Sequence, residues 1–245
     1  MIDKKNFVHD LTRFAEGEVI LIDKDKDWTS FDVVNKIRSL LSRALKMKKL
    51  KVGHAGTLDP LATGLLIVAT GNMTKSLSEY QSRTKKYTAT IRLGASTPSF
   101  DKETEPDKMC GYAHITKKQV EQVIKERFWG EITQFPPLYS AVKIDGKKAY
   151  QLARKGVEKD LKPRKVKIYS MEILAFNLPE ITLSVACSAG TYIRSLANDL
   201  GKALGSCAYL EALRRTAIGD YLVDNALKIS EFQELVFKLE QSKNT

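Results

Sequence analysis

The chain has 245 residues, of which 43% are hydrophobic and 28% charged, and 40 Lys and Arg against 29 Asp and Glu give it a net charge of +11. This length and composition are typical of a globular protein with a sizeable core and exclude a disordered chain. Its apolar runs are all shorter than the roughly 18 residues of a membrane span, so we expect no membrane partner.

The chain has three cysteines, none in a C-x-x-C spacing: Cys110, Cys187 and Cys207. An odd number in this arrangement predicts neither a disulfide framework nor a zinc site, and it favours a reducing compartment. The N-terminus lacks the apolar segment of a signal peptide. We therefore expect a cytoplasmic protein.

The positive charge is concentrated in two segments. Residues 36–51 contain seven basic residues and no acidic one, and residues 143–167 contain ten basic against three acidic, so each segment has a net charge of +7. Clustered charge of this kind indicates a polyanionic partner. The alternative is that these are ordinary solvated helix faces.

In chain order, the first half of the sequence predicts a strand, a helix and two more strands. Residues 17–25 read as a strand, and a capping box of Thr29 and Asp32 begins a helix with an apolar stripe opposite its basic residues. Residues 65–70 are a short buried strand, and residues 85–94 alternate as a half-buried strand does.

The second half predicts further helices and strands without regular alternation. The predicted elements are a helix at 116–128, a turn at 136–140, a helix at 149–156, strands at 166–176 and 181–188, a helix capped by Thr191, and a helix at 228–245. This mixture favours an α+β fold with a mixed, mostly antiparallel sheet flanked by helices. We expect one domain, residues 1–245.

A single carboxylate stands out in KVGHAGTLDPLATGLLIVATGNMTK, residues 51–75. Its glycines match neither a dinucleotide-binding loop nor a P-loop. Pro60 biases Asp59 away from helical geometry and is itself favoured at the first position of a helix, which predicts Asp59 at an N-cap. These residues alone leave two interpretations open, a plain helix cap and a catalytic carboxylate.

Arg194 is a second unusual residue, in GTYIRSLANDLG (190–201). It falls in the first turn of a predicted helix, where the macrodipole disfavours a cation, so it indicates a nearby anion. An exposed arginine is the alternative. Tyr87 and Tyr192 fit either the core or a pocket for a flipped base.

The stretch GHAGTLDPLATGLL, with G-x-x-T-K from Gly71 to Lys75, resembles the tRNA pseudouridine-55 synthases of the TruB type. The resemblance continues in family order over nearly the whole chain. The further blocks are LIDK…TSFDVVNKIR (21–38), KKYTATIRLG (85–94), FPPLYSAVKIDGKKAYQLARKG (135–156), GTYIRSLANDLG (190–201) and LRRTAIG (213–219).

This resemblance implies the pseudouridine synthase fold and isomerisation of uridine 55 in the tRNA T-arm, without cofactor or metal. Asp59 aligns with the family's essential aspartate, Arg194 with the arginine that pairs with it, and Tyr87 with the tyrosine that stacks on the target base. The resemblance leaves open whether Asp59 attacks the sugar, attacks the base or removes a ribose proton.

The substrate-binding residues follow from the same alignment. His54 aligns with the histidine that lies among displaced T-loop bases, Tyr192 and Leu213 with residues of the uracil pocket, and Lys75 with the last lysine of its motif. Asp101, in TPSFDKET (97–104), aligns with the aspartate of the family's T-x-T-x-D-x-x-G. The two basic segments would hold the RNA backbone.

The resemblance further implies a short form, in which a helix at 228–245 stands in place of the C-terminal RNA-binding extension of many relatives. We expect a monomer that acts on tRNA with no obligatory protein partner. Two alternatives remain, a guide-RNA-dependent synthase and an RNA-binding factor that folds tRNA without chemistry.

Overall fold

The computed structural model describes residues 1–6, 10–140, 143–144, 147–148 and 161–242. The helix predicted at 149–156, and much of the basic segment 143–167, lie outside the described residues. The helices described are α1 Thr12–Glu16, α2 Ser30–Ala44, α3 Leu77–Ser82, α4 Lys117–Arg127, α5 Ile193–Ala203 and α6 Ile229–Ser242. The strands described are β1 Val19–Lys24, β2 Val52–Ala55, β3 Thr63–Thr70, β4 Lys85–Leu93, β5 Ala95–Ser96, β6 Lys108–Met109, β7 Gly130–Gln134, β8 Lys143–Ile144, β9 Lys147–Lys148, β10 Arg164–Asn177, β11 Glu180–Cys187, β12 Ala208–Ile218 and β13 Tyr221–Leu222.

The chain divides into two compact units. The first unit is Met1–Lys85 with Arg214–Thr245, and the second unit is Lys86–Leu213. The boundaries fall within β4 and β12. The expectation of a single catalytic domain over residues 1–245 stays a prediction.

Strand β3 is the centre of the first unit. It pairs antiparallel with β1 and β2 and parallel with β12, where Arg214 and Arg215 lie beside Thr63 and Gly64. Its apolar run is buried from Gly64 to Thr70, as a strand covered on both faces requires. Helices α1, α2 and α6 contribute to one hydrophobic core with β1 and β3.

Helix α2 forms as its sequence predicts. Thr29 Oγ1 accepts a hydrogen bond from the Asp32 N–H at 3.0 Å, and the Asp32 carboxylate accepts one from the Thr29 N–H at 2.9 Å. This capping box satisfies two of the free donors at the helix N-terminus. Five of the six residues of the predicted apolar stripe are buried in a core shared with β1 and β3: Val33, Val34, Ile37, Leu40 and Leu41. The sixth, Leu45, is half-buried at the C-cap of the helix.

The second unit contains a sheet with strand order β4-β11-β10-β7. Strand β10 pairs antiparallel with both β11 and β7. The alternation predicted for β4 is confirmed, because Tyr87, Ala89 and Ile91 are buried while Lys86 is exposed. With parallel pairing at β3–β12 and antiparallel pairing at β1–β3, β2–β3, β10–β11 and β10–β7, the structure confirms an α+β fold with a mixed sheet.

Two predicted helix caps are wrong. Helix α5 has Tyr192 at its N-cap with no side-chain cap, because the Thr191 hydroxyl donates instead to the Ser188 carbonyl at 2.9 Å. Asp59 begins a turn rather than a helix. The Ala62 N–H donates to the Asp59 carbonyl at 3.1 Å, and β3 starts at the next residue, which leaves no length for a helix.

The expectation that the cysteines form no disulfide is also wrong. Cys110 and Cys207 are bonded, with an S–S distance of 1.98 Å, while Cys187 is buried as a free thiol. The Gly94 N–H donates to the Cys207 carbonyl, and the Gly94 carbonyl accepts from the Cys110 N–H. Gly94 thus brings together two cysteines 97 residues apart, a proximity that a count of cysteines does not reveal.

Candidate active site

The predicted site residues are divided between the two units. His54, Asp59 and Lys75 lie in the first unit, and Tyr87, Asp101, Tyr192, Arg194 and Leu213 lie in the second. The pairing of Asp59 with Arg194 stays a prediction. In the described part of the chain, no group of three or more His, Cys, Asp and Glu side chains could hold a metal ion.

Asp59 is half-buried on a turn that side chains from α2 and β1 hold in place. Ser30 Oγ accepts a hydrogen bond from the Leu58 N–H at 2.8 Å and donates to the Leu58 carbonyl at 3.1 Å. The Asp27 N–H donates to the Pro60 carbonyl at 2.9 Å. The peptide group that precedes Asp59 and the one that follows Pro60 are therefore anchored, which restricts where the Asp59 carboxylate can point.

Lys24 is a buried cation beneath this turn. Its ammonium group donates to the carbonyls of Trp28 at 2.6 Å, Asp25 at 2.9 Å and Pro60 at 3.3 Å, and the residue is 0% exposed. Burial lowers the pKa of Lys24 to about 8, against the negative charges of Asp59 and other nearby aspartates, which raise it. Lys24 thus supplies a positive charge close to Asp59 at neutral pH.

His54 lies in β2 and pairs with Val68 of β3. Burial lowers the pKa of His54, and the positive charge of Arg215 lowers it further, while a backbone hydrogen bond with Gly56 raises it. His54 is therefore neutral at pH 7, because its ordinary pKa is 6.5. A neutral imidazole can stack and hydrogen-bond among RNA bases but adds no charge that would attract phosphate.

Arg194 is buried in the first turn of α5, where its guanidinium makes contacts in three directions. Nη1 donates to the Ser99 carbonyl at 3.2 Å, Nη2 donates to the Tyr139 carbonyl at 2.8 Å, and Nε lies 3.6 Å from Asp101 Oδ2. The anion that its helical position indicated therefore includes Asp101. Fixed on several sides, this guanidinium is a preorganised group and not a mobile surface arginine.

The Asp101 carboxylate is buried and engaged within its own loop. Its Oδ1 accepts hydrogen bonds from Ser99 Oγ at 2.6 Å and from the Glu103 N–H at 2.9 Å. Together with its contact to Arg194, this geometry makes Asp101 a partner of the arginine. Its predicted role as a direct substrate contact stays a prediction.

Tyr192 is half-buried at the start of α5 and held by a buried amide. Gln134 Oε1 accepts from the Tyr192 N–H at 2.8 Å, and Gln134 Nε2 donates to the Tyr192 carbonyl at 3.0 Å. The Arg164 guanidinium lies 5.0 Å from the centre of the Tyr192 ring. A basic residue and an aromatic face thus meet at this position, an arrangement suited to RNA.

The other predicted site residues differ in burial. Tyr87 is buried on β4, Leu213 is half-buried on β12, and Lys75 is exposed on the 3₁₀ helix Gly71–Ser76. An exposed lysine suits a phosphate contact. Tyr87 and Leu213 suit a mostly apolar pocket.

Both basic segments carry exposed charge where they are described. In residues 36–51, Arg43 and the lysines that follow α2 are exposed, and within the described chain Arg43 alone of the seven has an ion-pair partner, Glu240 at 4.0 Å. On β10, Lys165, Lys167 and Tyr169 alternate on one exposed side of the strand. These surfaces have the charge expected of an RNA-binding protein.

Three residues that hold the chain around Asp59 carried no role in the sequence interpretation. They are Lys24, Ser30 and Arg215, whose guanidinium donates to the Gly56 and Leu65 carbonyls. All three lie inside blocks that resemble the family, LIDK…TSFDVVNKIR and LRRTAIG, so the blocks were the only signal. A buried lysine or arginine looks in sequence like any surface charge, because its partners are backbone carbonyls far along the chain.

Comparison with known proteins identifies the class. Residues 42–193 match the model of the TruB family pseudouridylate synthase N-terminal domain, and residues 194–245 match that of the tRNA pseudouridylate synthase B C-terminal domain. Since the first match alone covers more than half of the chain, the chain belongs to the TruB family of pseudouridylate synthases. The predicted family is confirmed.

Individual relatives share most of their length with this chain. It is 53% identical over 221 residues to tRNA pseudouridine synthase B of Phocaeicola vulgatus, covering 90% of this chain and 94% of that protein. It is 42% identical over 241 residues to tRNA pseudouridine synthase B of Chloroherpeton thalassium, covering 97% of this chain and 96% of the other.

Solved structures of larger proteins share the fold. The chain resembles one in a crystal structure of a Cbf5-Nop10-Gar1 complex, with a TM-score of 0.71 and 28% identity, covering 99% of this chain and 61% of that one. It also resembles one in an H/ACA RNP bound to a substrate RNA containing 2'-deoxyuridine, with a TM-score of 0.68 and 26% identity, covering 95% of this chain and 57% of that one. This chain thus spans about three fifths of their length.

Proposed function

We propose that this protein isomerises uridine to pseudouridine at position 55 in the T-arm of tRNA. The observation that carries the proposal is the 53% identity, over 94% of its length, to a relative named tRNA pseudouridine synthase B. The blocks around Asp59, Tyr87 and Arg194 agree with it. Family membership alone gives the reaction class, and the T-arm position comes from the motif resemblance.

The proposed reaction conserves every heavy atom of the nucleotide. The N1–C1′ bond of a flipped uridine breaks, the uracil turns, and a C5–C1′ bond forms. The proton on C5 is lost to solvent, and N1 gains one. Asp59 acts on the sugar or the base in this sequence, either as a nucleophile or as an acceptor of a ribose proton.

We assign two further roles at the reacting nucleotide. Arg194 pairs with Asp59 and keeps its carboxylate charged and aimed. Its bonds to Ser99 and Tyr139 and its contact with Asp101 support this role, because a guanidinium fixed in this way can direct a carboxylate. Tyr87 stacks on the target base.

The tRNA contacts surround these residues. His54 occupies space among displaced T-loop bases, Tyr192 and Leu213 line the uracil pocket, and Lys75 contacts a phosphate. The exposed lysines after α2 and on β10 bind the RNA backbone, so we expect the affinity for tRNA to fall steeply with salt concentration.

The enzyme needs neither cofactor nor metal in this proposal, and it acts on tRNA in the cytoplasm as a monomer without an obligatory protein partner. Light scattering on the pure protein tests whether it is a monomer.

A guide-RNA-dependent synthase is the second candidate function. The similarity to chains in an H/ACA RNP and a Cbf5-Nop10-Gar1 complex favours it. The sequence identity to those chains is 26–28%, about half of the 53% identity to the tRNA pseudouridine synthase B of Phocaeicola vulgatus. A tRNA-folding factor without chemistry is the third reading.

One assay separates the three: tritium release from C5-labelled uridine in an unmodified T-arm stem-loop, with pure protein and no guide RNA. We expect turnover by the native protein and none by Asp59→Asn, which still binds the stem-loop. No release at saturating protein would contradict the standalone synthase. Release only after addition of a guide RNA would favour the second candidate.

A matched variant tests Arg194. We expect Arg194→Ala to lose rate much more than affinity for the stem-loop, because the arginine acts on the carboxylate and not on phosphate. Arg164→Ala is the control for an arginine at a surface suited to RNA, since the Arg164 guanidinium lies over the Tyr192 ring. Equal losses of rate and affinity in Arg194→Ala would mean that Arg194 contacts RNA phosphate.

A further inference from the structure

Arg215 is the largest of the fully buried side chains described, with an exposure of 1%. It belongs to β12, and its guanidinium is directed at main-chain oxygens. Nε donates to the Leu65 carbonyl at 2.7 Å, and Nη2 donates to the Gly56 carbonyl at 3.1 Å. Those carbonyls mark the two ends of the segment 56–65, which carries Asp59.

The backbone of segment 56–65 is close to Arg215 as well. Arg214 and Arg215 run parallel to Thr63 and Gly64. Gly64 has a φ of +104°, and a Cβ at this position would overlap the backbone of Arg215. The glycine therefore lets the segment lie directly against the strand whose side chain holds its ends.

Between its ends, segment 56–65 is also held by other contacts. It has the turn bond from the Ala62 N–H to the Asp59 carbonyl at 3.1 Å, while Ser30 holds Leu58 and Lys24 holds Pro60. Ser30 and Lys24 act near the middle, next to Asp59. Arg215 alone of the three side chains bridges both ends.

Burying a guanidinium costs desolvation free energy, and two hydrogen bonds to carbonyls offset that free energy only in part. The charge also affects its surroundings, because it lowers the pKa of both His54 and Lys24. Arg215 thus binds segment 56–65 and perturbs both Lys24 of β1 and His54 of β2.

We propose that Arg215 is a positioning residue that clamps the two ends of segment 56–65, and so sets the rate of the chemical step without contributing to tRNA affinity. The inference rests on the proposed function of Asp59. Small displacements of a reacting group can cost about 100-fold in rate. A loosened segment would displace the Asp59 carboxylate by such amounts.

The test compares Arg215→Met and Arg215→Lys with Arg214→Met. Arg214 is the adjacent arginine on the same strand, but its guanidinium binds Asp23 at 2.9 and 3.0 Å and not segment 56–65. Each variant is assayed for single-turnover tritium release at saturating stem-loop, for stem-loop affinity, and for amide hydrogen exchange across residues 56–65.

We expect Arg215→Met to lose about 100-fold in single-turnover rate, with stem-loop affinity unchanged within about threefold. Exchange should rise in residues 56–65 and stay unchanged in the rest of the first unit. Arg215→Lys should recover part of the rate, because an ammonium can still donate to one of the two carbonyls. Arg214→Met should keep both its rate and the protection of the segment.

A native rate in Arg215→Met would overturn the proposal, and so would parallel losses of rate and affinity or a rise in exchange throughout the first unit. If Arg215→Met does not fold, Arg215→Lys decides by the same three measurements. If the native protein itself releases no tritium, the proposed function fails separately, and hydrogen exchange in residues 56–65 alone decides whether the clamp exists.

Discussion

Ser30 Oγ is bonded to both polar groups of one residue, accepting from the Leu58 N–H at 2.8 Å and donating to the Leu58 carbonyl at 3.1 Å. The two residues are 28 positions apart, and Ser30 is 2% exposed. A hydroxyl can do this because it is both donor and acceptor. The first residue of α2 thereby fixes the peptide that precedes Asp59.

We expect Ser30→Ala to lower the free energy of unfolding by about 1–3 kcal/mol, because a buried N–H and a buried carbonyl lose their partner. It should also reduce the single-turnover rate. Urea denaturation and tritium release measure the two effects. Ser82→Ala is the control, since the exposed Ser82 hydroxyl donates to the carbonyl of Glu79 in its own helix. Equal stability of the two variants would contradict the prediction.

Asp23 predicts a pH-dependent stability in the first unit. Burial raises the pKa of Asp23, but hydrogen bonds from Arg214 and Lys228 outweigh burial, so the pKa is lowered overall. A lowered folded-state pKa gives stability that is present above the unfolded value of 3.8 and is lost as pH falls through the folded value.

We therefore expect Asp23→Asn to destabilise the protein at pH 7 by about 1–3 kcal/mol, with the difference from the native protein narrowing as pH falls below 4. Chemical denaturation across pH 3–7 measures it. Asp220→Asn serves as the control, because Asp220 is fully exposed and should show no effect. If the difference in free energy of unfolding between the native protein and Asp23→Asn does not change with pH, the ion pair of Asp23 is not the source of that difference.

Lys24 predicts a second rise of stability with pH, in the alkaline range. Its folded pKa of about 8 lies below the ordinary 10.5, so between these values the unfolded chain binds more protons than the folded one. Stability from this residue therefore rises with pH across that window. The shift corresponds to roughly 3 kcal/mol at most.

We expect the native protein to gain stability relative to Lys24→Met between pH 8 and 10, measured by urea denaturation at each pH. Lys75→Met is a suitable control, since Lys75 is exposed and should show no relative change. If the difference in free energy of unfolding between the native protein and Lys24→Met does not change between pH 8 and 10, Lys24 keeps its ordinary pKa.

The bond between Cys110 and Cys207 predicts a redox-dependent stability. It closes a loop of 97 residues, and removal of such a crosslink costs about 2–4 kcal/mol. We expect a reductant to lower the Tm of the native protein and to have no effect on Cys110→Ser. Cys187→Ser should respond to reductant as the native protein does. A native Tm that is insensitive to reductant would contradict the bond.

The sequence by itself determined the parts of this protein that depend on local signals. The capping box at Thr29, the alternation along β4 and the stripe of α2 follow from neighbouring residues, and all three were predicted. Six motif blocks in order were enough to identify the family, because they extend over most of the chain. Asp59 was singled out from its own short stretch.

Only the tertiary structure decided how that stretch is held. The Asp59 turn is not a helix cap, since β3 starts too soon after it. Its supports come from distant positions, as with Arg215, which is 150 residues from the Leu65 carbonyl that it binds. The disulfide likewise joins cysteines 97 residues apart. Backbone carbonyls accept hydrogen bonds whatever their side chains are, so no pattern in the sequence records which buried cation they bind.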